Sequence, residues 1–221
     1  MLSQSFGEVL TLQEASRGIF IVLEGLPGCG KTTVGTSLEK DGWVFLKECA
    51  TLLGEKGVPI GDRGVTSSDF LIVAEEFKRT KEVRDLQRSG KNVAADGYFT
   101  TDLSFAYARY MLKRSKSYPA CLNMYLEALA AGTIPRPDLY VWFDVPMDTA
   151  TERQEDRYQD DMTTFNRQMM KYVRRHFQFM HEIYESDVQV LKVDAKKSVD
   201  ESKKAILAET SNMLVRWLAH S

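Results

Sequence analysis

Apolar residues follow two alternating patterns along the chain. In one, short segments with an apolar centre have the length of buried β-strands; they occur at residues 19–23, 42–47, 91–96, 138–145 and 188–195, and the first of them is apolar throughout. In the other, apolar residues recur three and four positions apart, as on one face of a helix. This spacing occurs at residues 33–40, 66–90, 100–111, 122–132, from 148 onward, 165–183 and 199–218. Strands that alternate with helices predict an α/β fold, namely a doubly wound five-stranded parallel sheet with helices on both faces.

The segment between the second strand and the next helix departs from both patterns. Residues 50–65 carry glycine at four positions and also contain Pro59. Two charged residues, Asp62 and Arg63, lie in the middle of the segment. Glycine and proline favour turns. We therefore predict a loop here that can approach a ligand.

The length and composition of the chain indicate a single domain. Its 221 residues contain no linker rich in proline, glycine or serine and no block of like charge. Residues 1–18 contain two glutamates and no continuous apolar segment, so we interpret them as an extension that is neither a signal peptide nor a membrane anchor. The domain is then expected to span residues 19–221.

The charge balance limits the expected partners. The chain has 29 lysine and arginine residues against 31 aspartate and glutamate residues. The protein therefore has no strong net positive charge that would attract nucleic acid or an anionic membrane. No apolar segment reaches the length of a transmembrane helix. We therefore expect neither a nucleic-acid nor a membrane partner.

The cysteines and one histidine argue against structural disulfides and a metal site of soft ligands. The three cysteines are an odd number without C-x-x-C spacing, which disfavours a disulfide framework and a zinc site. A reducing cytosol fits, and we expect a cytoplasmic protein. His176 lies within the apolar stripe of the helix at residues 165–183, so we predict a packed histidine and not a metal ligand.

Residues 25–33 carry the main chemical motif. They read Gly-Leu-Pro-Gly-Cys-Gly-Lys-Thr-Thr and match the pattern G-x-x-x-x-G-K-S/T of a phosphate-binding loop, or P-loop. The motif lies between a predicted strand and a predicted helix, which is the required setting. Its glycines let successive backbone N–H groups turn toward phosphate oxygens.

Two side chains of the motif extend this chemistry. Lys31 supplies a positive charge for the outer phosphates, and the hydroxyl group of Thr32 is placed to ligate Mg²⁺. We therefore predict a nucleotide site with a magnesium ion. The predicted nucleotide-binding residues are Gly25, Gly28, Cys29, Gly30, Lys31, Thr32 and Thr33.

Acidic residues end two of the predicted strands. Glu48 follows the second strand, and Asp96 ends the third. In open α/β sheets, ligands bind outside the carboxyl ends of the strands. Asp96 is then the expected Mg²⁺ partner, directly or through water, and Glu48 is a candidate site carboxylate. The alternatives are a turn-forming aspartate before Gly97 and a solvated strand terminus at Glu48.

Two arginines in the helix after residue 148 form a further candidate site. Arg153 and Arg157 are four positions apart and therefore lie on one helix face. Their acidic neighbours leave simple surface ion pairs as the alternative. The polar, unpatterned residues 158–164 suit a mobile lid, which we place around residues 153–165.

Taken in order, these motifs resemble the thymidylate kinase and deoxynucleoside kinase family from residue 19 to about residue 206. Besides the P-loop, the resemblance rests on Ala-Asp-Gly-Tyr-Phe-Thr-Thr-Asp-Leu-Ser-Phe-Ala-Tyr at 95–107, Pro-Asp-Leu-Tyr-Val-Trp-Phe-Asp-Val-Pro at 137–146, Glu-Arg at 152–153 with Arg157, and Val-Asp-Ala at 193–195. The resemblance implies ATP- and Mg²⁺-dependent transfer of the γ-phosphoryl group to a nucleotide or nucleoside.

The resemblance also implies roles for single residues. Lys31 and Mg²⁺ hold the donor, and Arg153 and Arg157 neutralise charge that spreads over the transferred group. Asp96 or Glu48 orients or deprotonates the acceptor. A homodimer is compatible with this reading. The implied substrate-binding residues are Glu48, Arg63, Phe70, Arg79 and Tyr98.

The chain departs from the family pattern where the acceptor is held. The family's arginine directly after the strand-end aspartate is Gly97 here, and the arginine usual in the preceding helix falls near the acidic Glu75 and Glu76. Arginines at these positions would grip an acceptor monophosphate. Either Arg63 or Arg79 supplies the missing charge, or the acceptor has no phosphate and Glu48 deprotonates its hydroxyl group, as in a nucleoside kinase.

Other P-loop classes fit the sequence less well. A GTP switch would need a guanine-reading N-K-x-D motif, which is absent. A ring-forming motor ATPase would normally carry Asp-Glu where this chain has Asp96-Gly97. Two further alternatives stay open, namely a kinase of another small molecule and a non-catalytic nucleotide-binding sensor.

Overall fold

The five predicted strands form one sheet in the computed structural model of the chain, which describes residues 17–58, 66–155, 167–184 and 188–220. The strands are β1 Phe20–Gly25, β2 Val44–Leu46, β3 Val93–Asp96, β4 Leu139–Asp144 and β5 Gln189–Asp194. Their order is β2-β3-β1-β4-β5, and every neighbouring pair is parallel. The prediction of a five-stranded parallel sheet is confirmed. Most of the predicted N-terminal extension lies outside the described residues.

Helices fill the connections between the strands, and a short 3₁₀ turn, Glu39–Asp41, follows the first of them. The helices are α1 Lys31–Leu38, α2 Cys49–Glu55, α3 Thr66–Arg88, α4 Phe99–Met111, α5 Tyr118–Ala130, α6 Met147–Glu155, α7 Arg167–Tyr184 and α8 Val199–His220. Within the described ranges, no helix combines the length and the apolar character that a membrane span needs. The chain extends from β1 to one side through β2 and β3 and to the other through β4 and β5. The carboxyl end of β1 therefore lies at the topological switch point, where open α/β sheets bind ligands.

The central strand β1 is buried on both faces. Alternate residues of a strand face opposite sides of a sheet. Ile21 and Leu23 belong to one hydrophobic cluster, together with apolar residues from α1, α7 and α8. Phe20 and Val22 belong to a second cluster, with residues from α3, α4 and α5. Helices therefore cover both faces of the sheet, which explains why the strand is an unbroken apolar run.

The predicted loop at residues 50–65 is wrong in its first part, where the chain forms helix α2. Cys49 and Leu53 are four positions apart, so they lie on the same face of this helix. Both side chains are buried in a small cluster with Ile72 of α3. This tertiary contact stabilises a short helix that the glycine-rich sequence does not favour by itself. Residues 59–65 lie outside the described part of the chain.

The predicted packing of His176 is confirmed. The ring is buried, with Nδ1 3.0 Å from Ser104 Oγ and Nε2 2.9 Å from Tyr118 Oη. Ser104 Oγ donates its own proton to the carbonyl oxygen of Thr100 at 2.7 Å. Nδ1 therefore donates to Ser104, and Tyr118 donates to Nε2. Both ring nitrogens are used in these hydrogen bonds, and neither is left for a metal ion.

Protonation of His176 is expected to destabilise the fold. Burial lowers the pKa of His176 from 6.5 to about 4. Between these two pH values the unfolded chain binds a proton that the folded protein does not, so the free energy of unfolding should fall as the pH is lowered through this window. Urea unfolding at a series of pH values measures this slope, which should be smaller in His176→Gln. Equal slopes in the two proteins would contradict the expectation.

Candidate active site

The P-loop connects the carboxyl end of β1 to the first residue of α1. Gly25 has a φ of +145°, and a Cβ atom there would lie 2.8 Å from the carbonyl oxygen of Phe143 and 2.9 Å from Cys29 Sγ. Gly30, directly before α1, has a φ of +101°. Side chains are strained in these conformations, so both positions require glycine. The loop thereby brings the N-terminal N–H groups of α1 to the carboxyl edge of the sheet, where they can bind an anion.

Lys31 is folded back against this loop. Its Nζ atom donates to the carbonyl oxygen of Gly25 at 2.9 Å and lies 3.4 Å from that of Leu26. The same atom is 4.0 Å from Asp96 Oδ1. Burial by itself would lower the pKa of Lys31, but the neighbouring thiol and carboxyl groups, Asp96 among them, raise it overall. The side chain is therefore a charged ammonium group inside the loop.

Thr32 and Asp96 form a pair that fits a magnesium ion. Thr32 Oγ1 donates to Asp96 Oδ2 at 2.5 Å, because β1 and β3 are neighbours and their carboxyl ends meet. The other oxygen, Asp96 Oδ1, is buried and has no hydrogen-bond partner among the described residues. A buried carboxylate oxygen without a donor is costly unless a cation or a water molecule binds it. A carboxylate and a hydroxyl group are oxygen ligands that suit Mg²⁺, which otherwise keeps water and phosphate oxygens.

Glu48 lies at the same edge of the sheet, directly after β2 and before α2. Its side chain is half-buried. Burial, followed by the negative charge of Asp96, raises the pKa of Glu48, whereas Lys31 and Arg79 oppose the shift. Partial burial beside charged groups of the site disfavours the alternative of a solvated strand terminus. The role of Glu48 toward an acceptor stays a prediction.

Glu24 is a site residue that the motifs do not reveal. It is fully buried at the end of β1, directly before the P-loop. Its carboxyl oxygens accept hydrogen bonds from Thr100 Oγ1 and from Thr101 Oγ1, the latter at 2.6 Å. Burial raises the pKa of Glu24 to about 7, although both hydroxyl groups oppose the shift. The pair of hydrogen bonds ties the strand of the P-loop to the first turn of α4. An acidic residue within an otherwise apolar strand was the signal available in the sequence.

Arg79 is buried in α3 and uses all five of its N–H donors within the protein. Its Nε and Nη2 atoms donate to the Glu76 carboxylate at 3.1 and 2.5 Å. Nη1 donates to the carbonyl oxygens of Lys47 at 2.8 Å and Asp96 at 3.0 Å. Nη2 also donates to the carbonyl oxygen of Gly97 at 2.7 Å. The guanidinium group thus joins the carboxyl ends of β2 and β3.

These contacts contradict the hypothesis that Arg79 supplies free charge for an acceptor phosphate. A guanidinium group has five donors, and none of those of Arg79 is left over. The acidic Glu76, one turn earlier in α3, is the reason, because it binds two of the five donors as a bidentate partner. The other arginine proposed for this role, Arg63, lies outside the described residues.

The structure also contradicts the expected contact of Tyr98 with an acceptor. Its ring is 1% exposed and packs edge-on against Phe20 and Phe99. Its hydroxyl group donates to the carbonyl oxygen of Pro135 at 2.9 Å. The aromatic ring therefore belongs to the hydrophobic core. Phe70 is different, since it is exposed near the start of α3, and its contact with an acceptor stays a prediction.

Arg153 reaches the P-loop from α6. Its guanidinium group donates to the carbonyl oxygen of Ala195 at 3.2 Å through both terminal nitrogens. Nη1 is also 3.5 Å from the carbonyl oxygen of Gly28. This position favours a site role for Arg153 over the surface ion pair. Arg157 and the predicted lid beyond residue 155 lie outside the described residues.

We expect Arg153→Ala to lower kcat for phosphoryl transfer more than it raises KM for ATP. The arginine can reach charge that develops on the transferred group while adding little to ground-state binding. Loss of one charge-assisted contact in an exposed side chain suggests about a tenfold effect on kcat. Steady-state kinetics measure both constants. Arg88→Ala, which removes an exposed arginine from the far end of α3, serves as the control, and an unchanged kcat in Arg153→Ala would favour the surface-pair alternative.

The strand, P-loop and helix, with a lysine, a threonine and an aspartate at one sheet edge, define a P-loop nucleotide kinase as the class of protein. Residues 20–189 match the family model described as AAA domain. The chain belongs to this family.

Curated relatives are similar over nearly their whole length. The thymidylate kinase of Alkalilimnicola ehrlichii is 26% identical over 231 residues, which cover 92% of this chain and 97% of the relative. The probable thymidylate kinase of Pyrococcus abyssi is 27% identical over 218 residues, which cover 90% of this chain and 98% of the relative. The resemblance to the thymidylate kinase and deoxynucleoside kinase family is confirmed.

Solved structures share the fold. Deoxyadenosine kinase from M. mycoides with bound dATP has a TM-score of 0.69 at 17% identity, with 87% of this chain and all of that chain (100%) covered. Thymidylate kinase from Candida albicans has a TM-score of 0.64 at 18% identity, with 90% and 93% covered. At these identities the structures support the P-loop α/β architecture.

Proposed function

We propose that this protein transfers the γ-phosphoryl group of ATP to a nucleoside or nucleotide in a magnesium-dependent reaction. The observation that carries the proposal is the buried Asp96 Oδ1, which has no hydrogen-bond partner among the described residues and lies close to the Lys31 ammonium group, while the other carboxylate oxygen accepts from the Thr32 hydroxyl group. These are the groups that a donor nucleotide with its metal ion requires. Similarity to thymidylate kinases over most of the chain supports the same class of reaction.

The donor site is built from the P-loop. N–H groups at the start of α1 bind phosphate oxygens, and Lys31 exchanges its present carbonyl partners for the outer phosphates. Thr32 and Asp96 hold Mg²⁺, which neutralises charge on the phosphates when it is bound. Arg153 lies beside Gly28 of the loop, from where it can stabilise charge on the transferred group.

The acceptor site lies at the ends of β2 and β3. Glu48 accepts the proton of the acceptor; burial, followed by the negative charge of Asp96, raises its pKa, which makes it a stronger base. Asp96, at the same edge of the sheet, is the proposed magnesium ligand together with Thr32. Arg79 acts through the backbone, since it holds the strand ends from which Glu48 and Asp96 project.

An acceptor panel with ATP and Mg²⁺ tests the proposal. Release of ADP and formation of a phosphorylated product are measured with nucleosides and with nucleoside monophosphates. We expect product from at least one class of acceptor, and none without Mg²⁺. Protein that binds ATP but transfers no phosphoryl group to any acceptor would be the non-catalytic sensor instead.

We place this reaction in the cytoplasm, without nucleic-acid or membrane partners. Cys29, Cys49 and Cys121 are free and buried, which agrees with a reducing compartment. The nearly even charge balance offers no broad basic surface for nucleic acid or anionic lipid. A homodimer is part of the proposal, and sedimentation equilibrium tests it.

A further inference from the structure

A groove lies between the middle of α3 and the end of α5. It has a volume of about 280 Å³ and is lined by Phe77, Thr80, Lys81 and Arg84 of α3 and by Thr133, which follows α5. The four residues of α3 are three and four positions apart, so they lie on one face of the helix. The volume is just below the range of about 300–1,000 Å³ that is usual for ligand sites. The groove therefore suits a small ligand.

The groove is separate from the candidate active site. Arg79 of α3 reaches carbonyl oxygens at the carboxyl ends of β2 and β3, and the helix then continues toward the amino end of β3. Lys81 and Arg84 lie about 3 and 8 Å further along its axis. Thr133 belongs to the connection that enters β4 at its amino end. The groove thus lies toward the edge of the sheet that is opposite the P-loop.

Two cations line the groove without a carboxylate partner. Lys81 is exposed, and it forms no hydrogen bond or ion pair with any of the described residues. Arg84 is half-buried and donates through Nη2 to the carbonyl oxygen of Gly132, which leaves its other N–H groups unused. The acidic residue next to it, Asp85, lies 3.8 Å from Arg88 instead. The groove therefore presents two neighbouring positive charges.

The carbonyl groups at the end of α5 already have hydrogen-bond donors. Thr133 donates to the carbonyl oxygen of Ala128 through its N–H group at 2.8 Å and through Oγ1 at 2.9 Å. Gly132 donates to that of Leu129 at 3.0 Å, and its own carbonyl oxygen accepts from Arg84. The unused polar groups of the groove are therefore donors, which favours a ligand that supplies acceptors.

Thr80 adds a buried hydroxyl group that makes no hydrogen bond. The residue is 3% exposed, and its Oγ1 has no hydrogen-bond partner among the described residues. The nearest hydroxyl group named with it belongs to Tyr98: burial raises the pKa of Tyr98, and Thr80 opposes only part of this shift. Tyr98 donates its own proton to the carbonyl oxygen of Pro135 at 2.9 Å. A buried hydroxyl group without a partner is costly unless a ligand or a water molecule binds it.

We infer that this groove binds a small phosphate monoester. Such a ligand carries a charge of about −1.5 to −2 and three strong acceptor oxygens. Arg84 and Lys81 supply donors of the opposite charge, and Thr80 supplies a hydroxyl group. Phe77 is half-buried in the same lining and offers an apolar wall to the organic part of the ester. The inference does not depend on the proposed phosphoryl transfer, because none of these residues takes part in it.

Isothermal titration calorimetry with three probes tests this inference. Wild-type protein is titrated with AMP, with ribose 5-phosphate and with inorganic phosphate. In the double variant Lys81→Ala with Arg84→Ala, we expect Kd for the phosphate esters to rise at least about tenfold, because charge-assisted contacts are lost. The binding that this variant loses should persist in Lys31→Ala, since Lys31 belongs to the P-loop at the other edge of the sheet.

A matched control removes the same charges from the same helix. Lys78→Ala with Arg88→Ala takes one lysine and one arginine from α3 outside the groove, where they lie beside Glu75 and Asp85. We expect the affinities of the wild type in this control. Equal weakening in both double variants would mean that the net charge of the helix attracts the probes, and this would overturn the inference.

Thr80→Val separates a binding role from a structural one. Valine keeps the shape of threonine without its hydroxyl group, so the free energy of unfolding should be unchanged or higher, since no hydrogen bond is lost. The Kd for AMP should rise about threefold or more, the effect of one lost hydrogen bond. Lower stability together with an unchanged Kd would show that the hydroxyl group serves the core, against the inference.

The remaining outcomes identify the ligand or overturn the inference. Tighter binding of AMP than of ribose 5-phosphate supports a nucleotide as the natural ligand, and the reverse supports a sugar phosphate. No binding of any probe at millimolar concentration by the wild type would overturn the inference and leave the proposed function intact. Failure of phosphoryl transfer in the acceptor panel would leave the inference intact. If circular dichroism shows that the double variant does not fold, Lys81→Ala alone decides, because that side chain is exposed.

Discussion

Replacement of Lys31 by alanine is expected to lower kcat for phosphoryl transfer by about a hundredfold or more. The ammonium group lies 2.9 Å from the Gly25 carbonyl oxygen and 4.0 Å from Asp96 Oδ1. It is therefore located between the P-loop and the aspartate that we propose as a magnesium ligand. Alanine removes this positive charge from a buried position, where it acts on the phosphates with little screening. Charge that spreads over the transferred group then lacks its nearest cation.

The fold should survive this change, because the Lys31 ammonium group donates to backbone carbonyl oxygens within the P-loop itself. Circular dichroism and urea unfolding check the fold, and steady-state kinetics measure kcat. Lys40→Ala is the matched control, since Lys40 is exposed in the 3₁₀ turn directly after α1. We expect wild-type turnover in the control. Wild-type turnover in folded Lys31→Ala would remove this residue from the site.

The features that could be predicted from the sequence are those that depend on neighbours along the chain. The strand before the P-loop is an unbroken apolar run because β1 is covered by helices on both faces. The P-loop itself is contiguous, so its glycines, Lys31 and Thr32 are visible together. Asp96 follows from one further rule, that the carboxyl ends of parallel strands meet at one edge.

The features that could not be predicted depend on partners far apart in the chain. Helix α2 is stabilised by a cluster with Ile72 that no local pattern reveals. The donors of Arg79 reach carbonyl oxygens of β2 and β3, so the sequence shows a charge but not what neutralises it. Glu24 is satisfied by the hydroxyl groups of Thr100 and Thr101, more than seventy positions away. Tyr98 looked available for an acceptor because its burial beside Phe20 is a tertiary contact.

Loss of Arg79 is expected to destabilise the fold by about 3–5 kcal/mol, the usual cost of removing one partner of a buried ion pair. The side chains of Arg79 and Glu76 are 2% and 0% exposed. In Arg79→Met, a side chain of similar length fills the space but leaves the Glu76 carboxylate without a counterion. The carbonyl oxygens of Lys47, Asp96 and Gly97 also lose their donors. Urea unfolding of the variant and the wild type measures the difference.

Two further variants show whether charge or geometry causes this loss. Arg88→Met removes an exposed arginine that lies 3.8 Å from Asp85, and we expect a change within about 0.5 kcal/mol. The double variant Arg79→Met with Glu76→Gln should lose less stability than the sum of the two single variants, because the buried unpaired carboxylate is then gone. A loss within about 0.5 kcal/mol in Arg79→Met itself would mean that the strand ends find other donors. In that case Arg79 would not be what holds Glu48 and Asp96 at the edge of the sheet.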